Sequence, residues 1–307
     1  MTPEFVDIDA HAPLLGLGGE PEPAWAGQWR KYYGLDLGRQ LEQRFVSLQV
    51  PGYQLMAQYF RPRTATASIL ILHGYYDHMG LYGHLIRWAT NNQLAVLICD
   101  LPGHGLSTGP RASINEFSEY QSALAAMFEL ARRLELPQPW HLAGQSMGGA
   151  IALDYALHQP DGSQLGELIL LAPLVRPVSW RKSRLLYHSL RPFVRQIRRA
   201  RSVSSTDLEF VDFLQRDPLQ AQILPTAWVG ALERWIKQIE NAEASKISPL
   251  IIQGDEDQTV DWQHNLGVLE QKFSGPKICM LPGAGHHLVN EQQAYRQMAF
   301  DFIEGHL

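Results

Sequence analysis

Two cysteines in 307 residues cannot supply a disulfide framework. Cys99 and Cys279 each fall inside an apolar run, so buried structural thiols are expected. No stretch approaches the ~20 consecutive apolar residues of a membrane span. No lysine or arginine precedes Arg30, whereas Glu4, Asp7 and Asp9 do. The basic start of a secretion signal is therefore missing, and the expected location is cytoplasmic, with at most peripheral contact to the inner face of the membrane. No Cys/His spacing resembles a metal site: His286 and His287 are adjacent and on a strand would point to opposite sides. No metal and no organic cofactor is expected. Excess positive charge is missing too. The net charge is -5, which argues against nucleic acid as a partner.

One region lacks acid altogether. Between Leu168 and Thr206 there is no aspartate or glutamate, but there are nine bases: Arg176, Arg181, Lys182, Arg184, Arg191, Arg195, Arg198, Arg199 and Arg201. The other 17 basic residues face all 31 acidic ones. The chain is a cationic segment on an anionic body.

What is present reads as one large α/β domain with an insertion. Residues 1–44 are poorly periodic and form an N-terminal arm, with a helix expected around Trp25 to Tyr33. Phe45–Val50 and Tyr53–Phe60, joined by Pro51-Gly52, read as a β-hairpin. Strand and helix patterns then alternate. Strands are expected at Ala67–Leu72, Leu94–Cys99, Trp140–Ala143, Glu167–Ala172, Pro249–Gly254 and Lys277–Leu281. Helices are expected near Leu85–Ala89, over Ile114–Leu134 and over Gly149–Leu157. The strands are continuous apolar runs, the pattern of a parallel sheet covered by helices on both faces. More than seventy residues separate Ala172 from Pro249, where a crossover needs about thirty. The surplus contains the cationic segment. It is assigned to a helical cap, or lid, at 175–230, leaving 45–174 and 231–307 as the core.

The pattern Gly-x-Ser-x-Gly occurs twice, at Gly105–Gly109 and Gly144–Gly148. Its chemistry needs a sharp strand-to-helix turn that lifts the serine hydroxyl above the sheet. Ser146 has an apolar run before it and a helical pattern behind it. Ser107 follows turn residues and precedes Gly109-Pro110, so a loop role is expected for it. A serine nucleophile also needs a base, and the base an orienting carboxylate. After Leu250–Gln253 come Asp255 and Asp257. After Ile278–Leu281 come His286 and His287. Asp257 is preferred because it lies further from the strand end, with Asp255 read as a turn residue. His286 is preferred because it follows the flexible Gly285. The oxyanion amides are assigned to Met147, behind the nucleophile, and Tyr75, after the early strand. His73, His78 and His104 are read as loop-fixing side chains.

These residues resemble the monoacylglycerol lipase and lysophospholipase group of α/β-hydrolases, including its lysophospholipase L2-like and serine aminopeptidase S33-like branches. His73-Gly74-Tyr75-Tyr76-Asp77-His78 is similar to the group's His-Gly-x-x-Glu-His segment. Asp100-Leu101-Pro102-Gly103-His104-Gly105-Leu106-Ser107 resembles its Asp-x-x-Gly-His-Gly-x-Ser loop, which accounts for the second Gly-x-Ser-x-Gly. Gly144-Gln145-Ser146-Met147-Gly148-Gly149 resembles its elbow. The group's acid and base fall on Asp257 and His286. Tyr75 and Tyr76 depart from the pattern, standing where small residues are common. The cap matches weakly, mainly at Asp217-Pro218-Leu219.

In the cap, Leu186, Leu190, Phe193, Val194 and Ile197 have helical spacing, with Arg184, Arg191, Arg195 and Arg198 near the opposite face. Pro192 divides the stretch into two expected short helices. An interfacial lid touching anionic membrane and a solvated basic face both fit this pattern. The resemblance implies a lidded α/β-hydrolase fold that cleaves carboxylic esters of single-chain lipids through an acyl-enzyme. A small-ester esterase, a serine aminopeptidase, a perhydrolase and an inactive ligand-binding fold are the alternatives. A fluorophosphonate probe should label the wild type and Ser107→Ala but not Ser146→Ala, read by in-gel fluorescence. Labelling lost with Ser107 instead would reverse the assignment.

Overall fold

The computed structural model describes residues 5, 16, 21–38, 40–158, 165–199 and 204–307. An N-terminal helix, α1 (Ala24–Tyr32), precedes a hairpin of β1 (Leu41–Val50) and β2 (Tyr53–Pro62). Then come β3 (Ala67–Leu72), α2 (Gly83–Asn91), β4 (Leu94–Cys99), α3 (Ser118–Arg133), β5 (Trp140–Gln145), α4 (Met147–His158) and β6 (Leu165–Leu171). The chain closes with β9 (Leu250–Gly254), α8 (Trp262–Lys272), β10 (Lys277–Leu281) and α9 (Gln293–Glu304). The long β6-to-β9 connection holds α5 (Trp180–Leu190), β7 (Gln196–Arg198), α6 (Leu208–Arg216), β8 (Ile223–Pro225) and α7 (Thr226–Asn241).

Eight strands form one sheet in the order β1-β2-β4-β3-β5-β6-β9-β10. β1 with β2 and β2 with β4 are antiparallel, and every other pairing is parallel. The apolar runs are buried on both sides because successive side chains feed opposite cores. Ile69 and Ile71 join the cluster with Trp29, Leu85, Ile86 and Phe300. Leu70 and Leu72 join the one with Tyr120, Leu124, Ile151 and Trp235. The parallel strands all point one way, so the segments after β3, β4, β5, β9 and β10 meet at one edge of the sheet.

Where elements differ from expectation, the reason is a polar contact or a pairing that apolar periodicity does not record. β1 begins at Leu41, inside the segment assigned to the arm. Its opening residues, Glu42, Gln43 and Arg44, are polar because β1 is an edge strand, and they hide its register with β2. α3 begins at Ser118 because Glu119 Oε1 accepts the amides of Asn115 and Glu116 at 2.7 and 2.8 Å and ends the preceding turn. Cys99 is buried, but Cys279 is only half-buried, and both are free thiols.

The connection between β6 and β9 departs most. α5 ends at Leu190, and the second helix expected after Pro192 is replaced by β7, which pairs antiparallel with β8. The helical stripe therefore does not continue to Ile197. The division drawn at residue 230 also falls inside α7. That helix is the crossover itself. Ala231, Leu232, Trp235, Ile236 and Ile239 are buried against α3 and α4. Each such large side chain contributes about 1.5–3 kcal/mol relative to exposure. Among the described residues no helix is long and apolar enough to cross a membrane.

Candidate active site

Ser146 lies on the sharp turn between β5 and α4, with φ of 54°. Its carbonyl accepts from the amides of Ala150 and Leu174 at 2.9 and 3.1 Å. The adjacent glycines are obligatory. A Cβ on Gly148 would stand 2.0 Å from the Leu72 carbonyl oxygen, and one on Gly144 2.2 Å from that of Gly148. The helix start therefore presses directly on the end of β3.

His286 Nε2 is 2.9 Å from Ser146 Oγ, and His286 Nδ1 is 2.7 Å from Asp257 Oδ2. All three residues are buried. Asp257 Oδ1 accepts the amides of Thr259 and Val260 at 2.8 and 3.1 Å, and Oδ2 accepts from Gln253 Nε2 at 3.1 Å. Burial pushes the Asp257 carboxyl up. The neighbouring His286 and the two amides outweigh that, so its pKa lies below the ordinary carboxylate value. Asp255 is elsewhere: its Oδ1 accepts the Gly283 amide at 2.6 Å and ties the two loops together.

Ser107 makes no such array. Its hydroxyl donates to the Asp100 carbonyl at 2.5 Å and accepts the Met56 amide at 2.9 Å. His73 accepts the Leu101 amide at Nε2, 2.9 Å away. Burial lowers its pKa to about 3, so it is neutral and its Nδ1 donates to the Gly74 carbonyl at 2.8 Å. His104, held near about 4 by burial, lies 2.9 Å from the Pro102 carbonyl. His287 Nε2 is 3.0 Å from Asp77 Oδ2.

The Tyr75 amide belongs to a four-residue turn in which the Asp77 amide donates to the Gly74 carbonyl at 3.1 Å. Tyr76, the third residue, has φ of 72°, as a type II turn requires. A non-glycine residue there costs about 1–2 kcal/mol. A Cβ on Gly74 would be 3.5 Å from Ser146 Cβ, so this turn adjoins Ser146. Met147 is the first residue of α4, where amides lack intrahelical acceptors and the helix dipole is positive.

The arginines singled out in the cap are not gathered on one helix face. Arg184 Nε lies 3.3 Å from Glu233 Oε1. Arg191 sits over the Tyr187 ring at 5.5 Å, Arg195 lies in the following link, and Arg198 is in β7. Arg201 is outside the described residues.

The sequence reading passed over several polar residues that hold the site. Gln145 Nε2 donates to the His286 carbonyl at 2.9 Å. The backbone carbonyl of Ser204 accepts the amides of His286 and His287 at 3.0 and 2.7 Å. Glu291, fully buried, accepts the Gly285 amide at 2.7 Å and the Thr206 amide at 2.9 Å. A polar residue closing an apolar strand, as at Gln145 and Gln253, was the available signal. Ser204 and Glu291 carried none.

The profile of the family described as Serine aminopeptidase, S33 matches residues 63–293, about three quarters of the chain. The chain belongs to that family. It is a serine hydrolase with the α/β-hydrolase fold. This hydrolase is similar to rat monoglyceride lipase, 27% identical over 250 residues covering 78% of this chain and 82% of the relative. It is 27% identical to Phospholipase YtpA of Bacillus subtilis, over 64% of this chain and 77% of that one. In structure it resembles a soluble variant of Saccharomyces cerevisiae monoglyceride lipase in complex with a substrate analogue. The TM-score is 0.74 at 15% identity, covering 88% of this chain and 95% of that one. A thermostable carboxyl esterase from Bacillus coagulans gives 0.69 at 18% identity, covering 86% and 98%.

One buried pair joins the site's surroundings. His78 Nε2 is 2.7 Å from Asp217 Oδ2, and Tyr33 donates to Asp217 Oδ1 at 2.9 Å. Burial lowers the His78 pKa, but Asp217, with Asp100 and Asp77 nearby, raises it above the ordinary value overall. Burial raises Asp217, but His78, the Leu219 amide and Tyr33 bring it below its ordinary value. The Asp217 contribution is thus present above about pH 4 and lost only as pH falls through its lowered folded value. The His78 contribution is complete below about pH 6.5 and lost as pH rises through the raised folded value. The stability gap between wild type and Asp217→Asn, measured by urea unfolding, should therefore be larger at pH 5.5 than at pH 9. An equal gap would mean that His78 is not the coupled group.

Proposed function

We propose that the chain hydrolyses carboxylic esters of single-acyl-chain lipids, monoacylglycerols or lysophospholipids. The supporting observation is the hydrogen-bonded run from Ser146 Oγ through His286 to Asp257 at the carboxyl edge of the sheet. Relatives named as monoglyceride lipases and a phospholipase agree with this substrate class. Ser146 Oγ attacks the acyl carbonyl while His286 Nε2 takes its proton. The amides of Met147 and Tyr75 receive the oxyanion. Collapse of the tetrahedral adduct expels the alcohol, which takes the proton from His286. Water, deprotonated by His286, then attacks the acyl-enzyme and releases the fatty acid. Asp257 holds the imidazole tautomer throughout. The residues between β6 and β9, outside α7, act as the cap over this site.

Purified enzyme is compared on monoacylglycerol, lysophosphatidylcholine, a short p-nitrophenyl ester and an aminoacyl anilide. The two lipid esters should be fastest, and Asp257→Asn should lower kcat on them by about 10³–10⁴-fold while Asp255→Asn leaves it near wild type. Fastest turnover of the anilide would replace the lipase reading with a peptidase.

We further propose that the cap meets anionic membrane. Leu185, Leu186, Phe193 and Ile197 are exposed, at 72, 53, 86 and 39%. Arg191, Arg195 and Arg198 are exposed among them in the chain. Other cations of the segment are engaged: Arg176 and Arg184 face Glu240 and Glu233, and Arg199 lies over the Tyr76 ring. Binding to vesicles rich in phosphatidylglycerol should weaken with salt and with Arg191, Arg195 and Arg198 replaced by Gln. No sedimentation with vesicles at low salt would remove the proposal.

A further inference from the structure

Tyr76 is held at positive φ by residues far along the chain. Its carbonyl accepts from Gln220 Nε2 at 3.0 Å. Gln220 lies between α6 and β8, and Arg199 Nη1 donates to its Oε1 at 2.6 Å, which turns the amide nitrogen toward Tyr76. The same guanidinium covers the Tyr76 ring, 3.9 Å from its centroid. The neighbouring ring, Tyr75, stacks on Trp228 at 3.7 Å and 16°. The Gln220 segment is anchored in turn, because its amide donates to the Asp217 carbonyl at 3.3 Å and Asp217 is the buried partner of His78.

We infer that Gln220, oriented by Arg199, is a positioning residue for the oxyanion turn: the cap completes the half of the active site that carries the Tyr75 amide. The inference rests on the assignment of that amide to the oxyanion. In a turn of this kind glycine holds the third position without strain, whereas tyrosine does not. Relief of the strain rotates φ of Tyr76, which swings its ring and carbonyl and draws the Asp77 amide off the Gly74 carbonyl, in the peptide that carries the Tyr75 N–H. A hydrogen bond to the Tyr76 carbonyl and a cation on its ring oppose that rotation from the cap side. On the core side, the Gly74 carbonyl is fixed by His73 Nδ1 and the Asp77 amide. That carbonyl and the Tyr75 N–H share one planar peptide, so both sets of contacts aim one donor.

The test uses Gln220→Glu, which keeps the acceptor facing Arg199 and loses the donor facing Tyr76. Steady-state kinetics on a soluble ester should show kcat lowered roughly tenfold or more, within the 10²–10³ that one oxyanion donor is worth, with KM changed much less. Adding Tyr76→Gly should recover most of the loss, because glycine takes positive φ unaided. Adding Tyr76→Ala, which removes the same ring without that freedom, should not. Wild-type kcat in Gln220→Glu, or equal rescue by Gly and Ala, overturns the inference. Fluorophosphonate labelling of Ser146 in the wild type is run alongside. A wild type with no Ser146-dependent turnover overturns the site assignment and this inference with it. A wild type that turns over while ignoring Gln220→Glu overturns this inference alone.

Discussion

The bend at Ser146 is the constraint on which the rest of the site depends. A strand must end and a helix must start within one residue, and the helix must touch the next strand. That requires positive φ at Ser146 and bare backbone at Gly144 and Gly148. The strain is sustained by the Ser146 carbonyl's two hydrogen bonds and by β5 being buried between β3 and β6. Once the bend is made, the end of β3 lies beside Ser146, and the parallel sheet brings the β9 and β10 loops to the same edge. One serine, one acid and one histidine, spread over 140 residues, meet there.

Those loops are fixed by buried polar groups as well as by the apolar contacts of Val260, Ala284, Leu288 and Val289. Gln145, Gln253 and Glu291 each spend a side chain on a backbone amide, a carbonyl or the Asp257 carboxylate. Such groups are costly to bury unpaired, so each arrangement has few alternatives. The His286 loop is therefore held where its ring faces Ser146 at one side and Asp257 at the other.

The connection between β6 and β9 is joined to the sheet's loops by the same kind of chemistry. Ser204 and Thr206 hold the His286 loop, Asp217 holds His78 and Tyr33, and Gln220 holds Tyr76. Its polar and charged contacts reach both the His286 loop and the Gly74–Asp77 turn. Several of its cations are engaged in these contacts or in pairs with α7, which leaves a smaller free charge than the run of nine bases suggests.

The sequence alone determined the features that are local or periodic. Continuous apolar runs marked the parallel strands, since burial on both faces leaves no alternation to confuse. The elbow was legible because its glycines, its serine and its helix are adjacent in the chain. Residue type at strand ends narrowed the acid to Asp255 or Asp257 and the histidine to His286 or His287, and distance from the strand end and the neighbouring Gly285 favoured Asp257 and His286. Tertiary structure decided what depends on partners far apart in sequence. β7 is a strand because β8 pairs with it some twenty-five residues later, and helical spacing could not reveal that. The extra length of β1 was hidden because an edge strand is free to be polar. Arg184 and Arg199 read only as members of the cationic segment, and the fold shows Glu233 beside one and Tyr76 beneath the other. Hydrophobic periodicity records which face is buried. It carries no record of which polar atom meets which, and that is what holds the β6–β9 connection to the loops around Ser146.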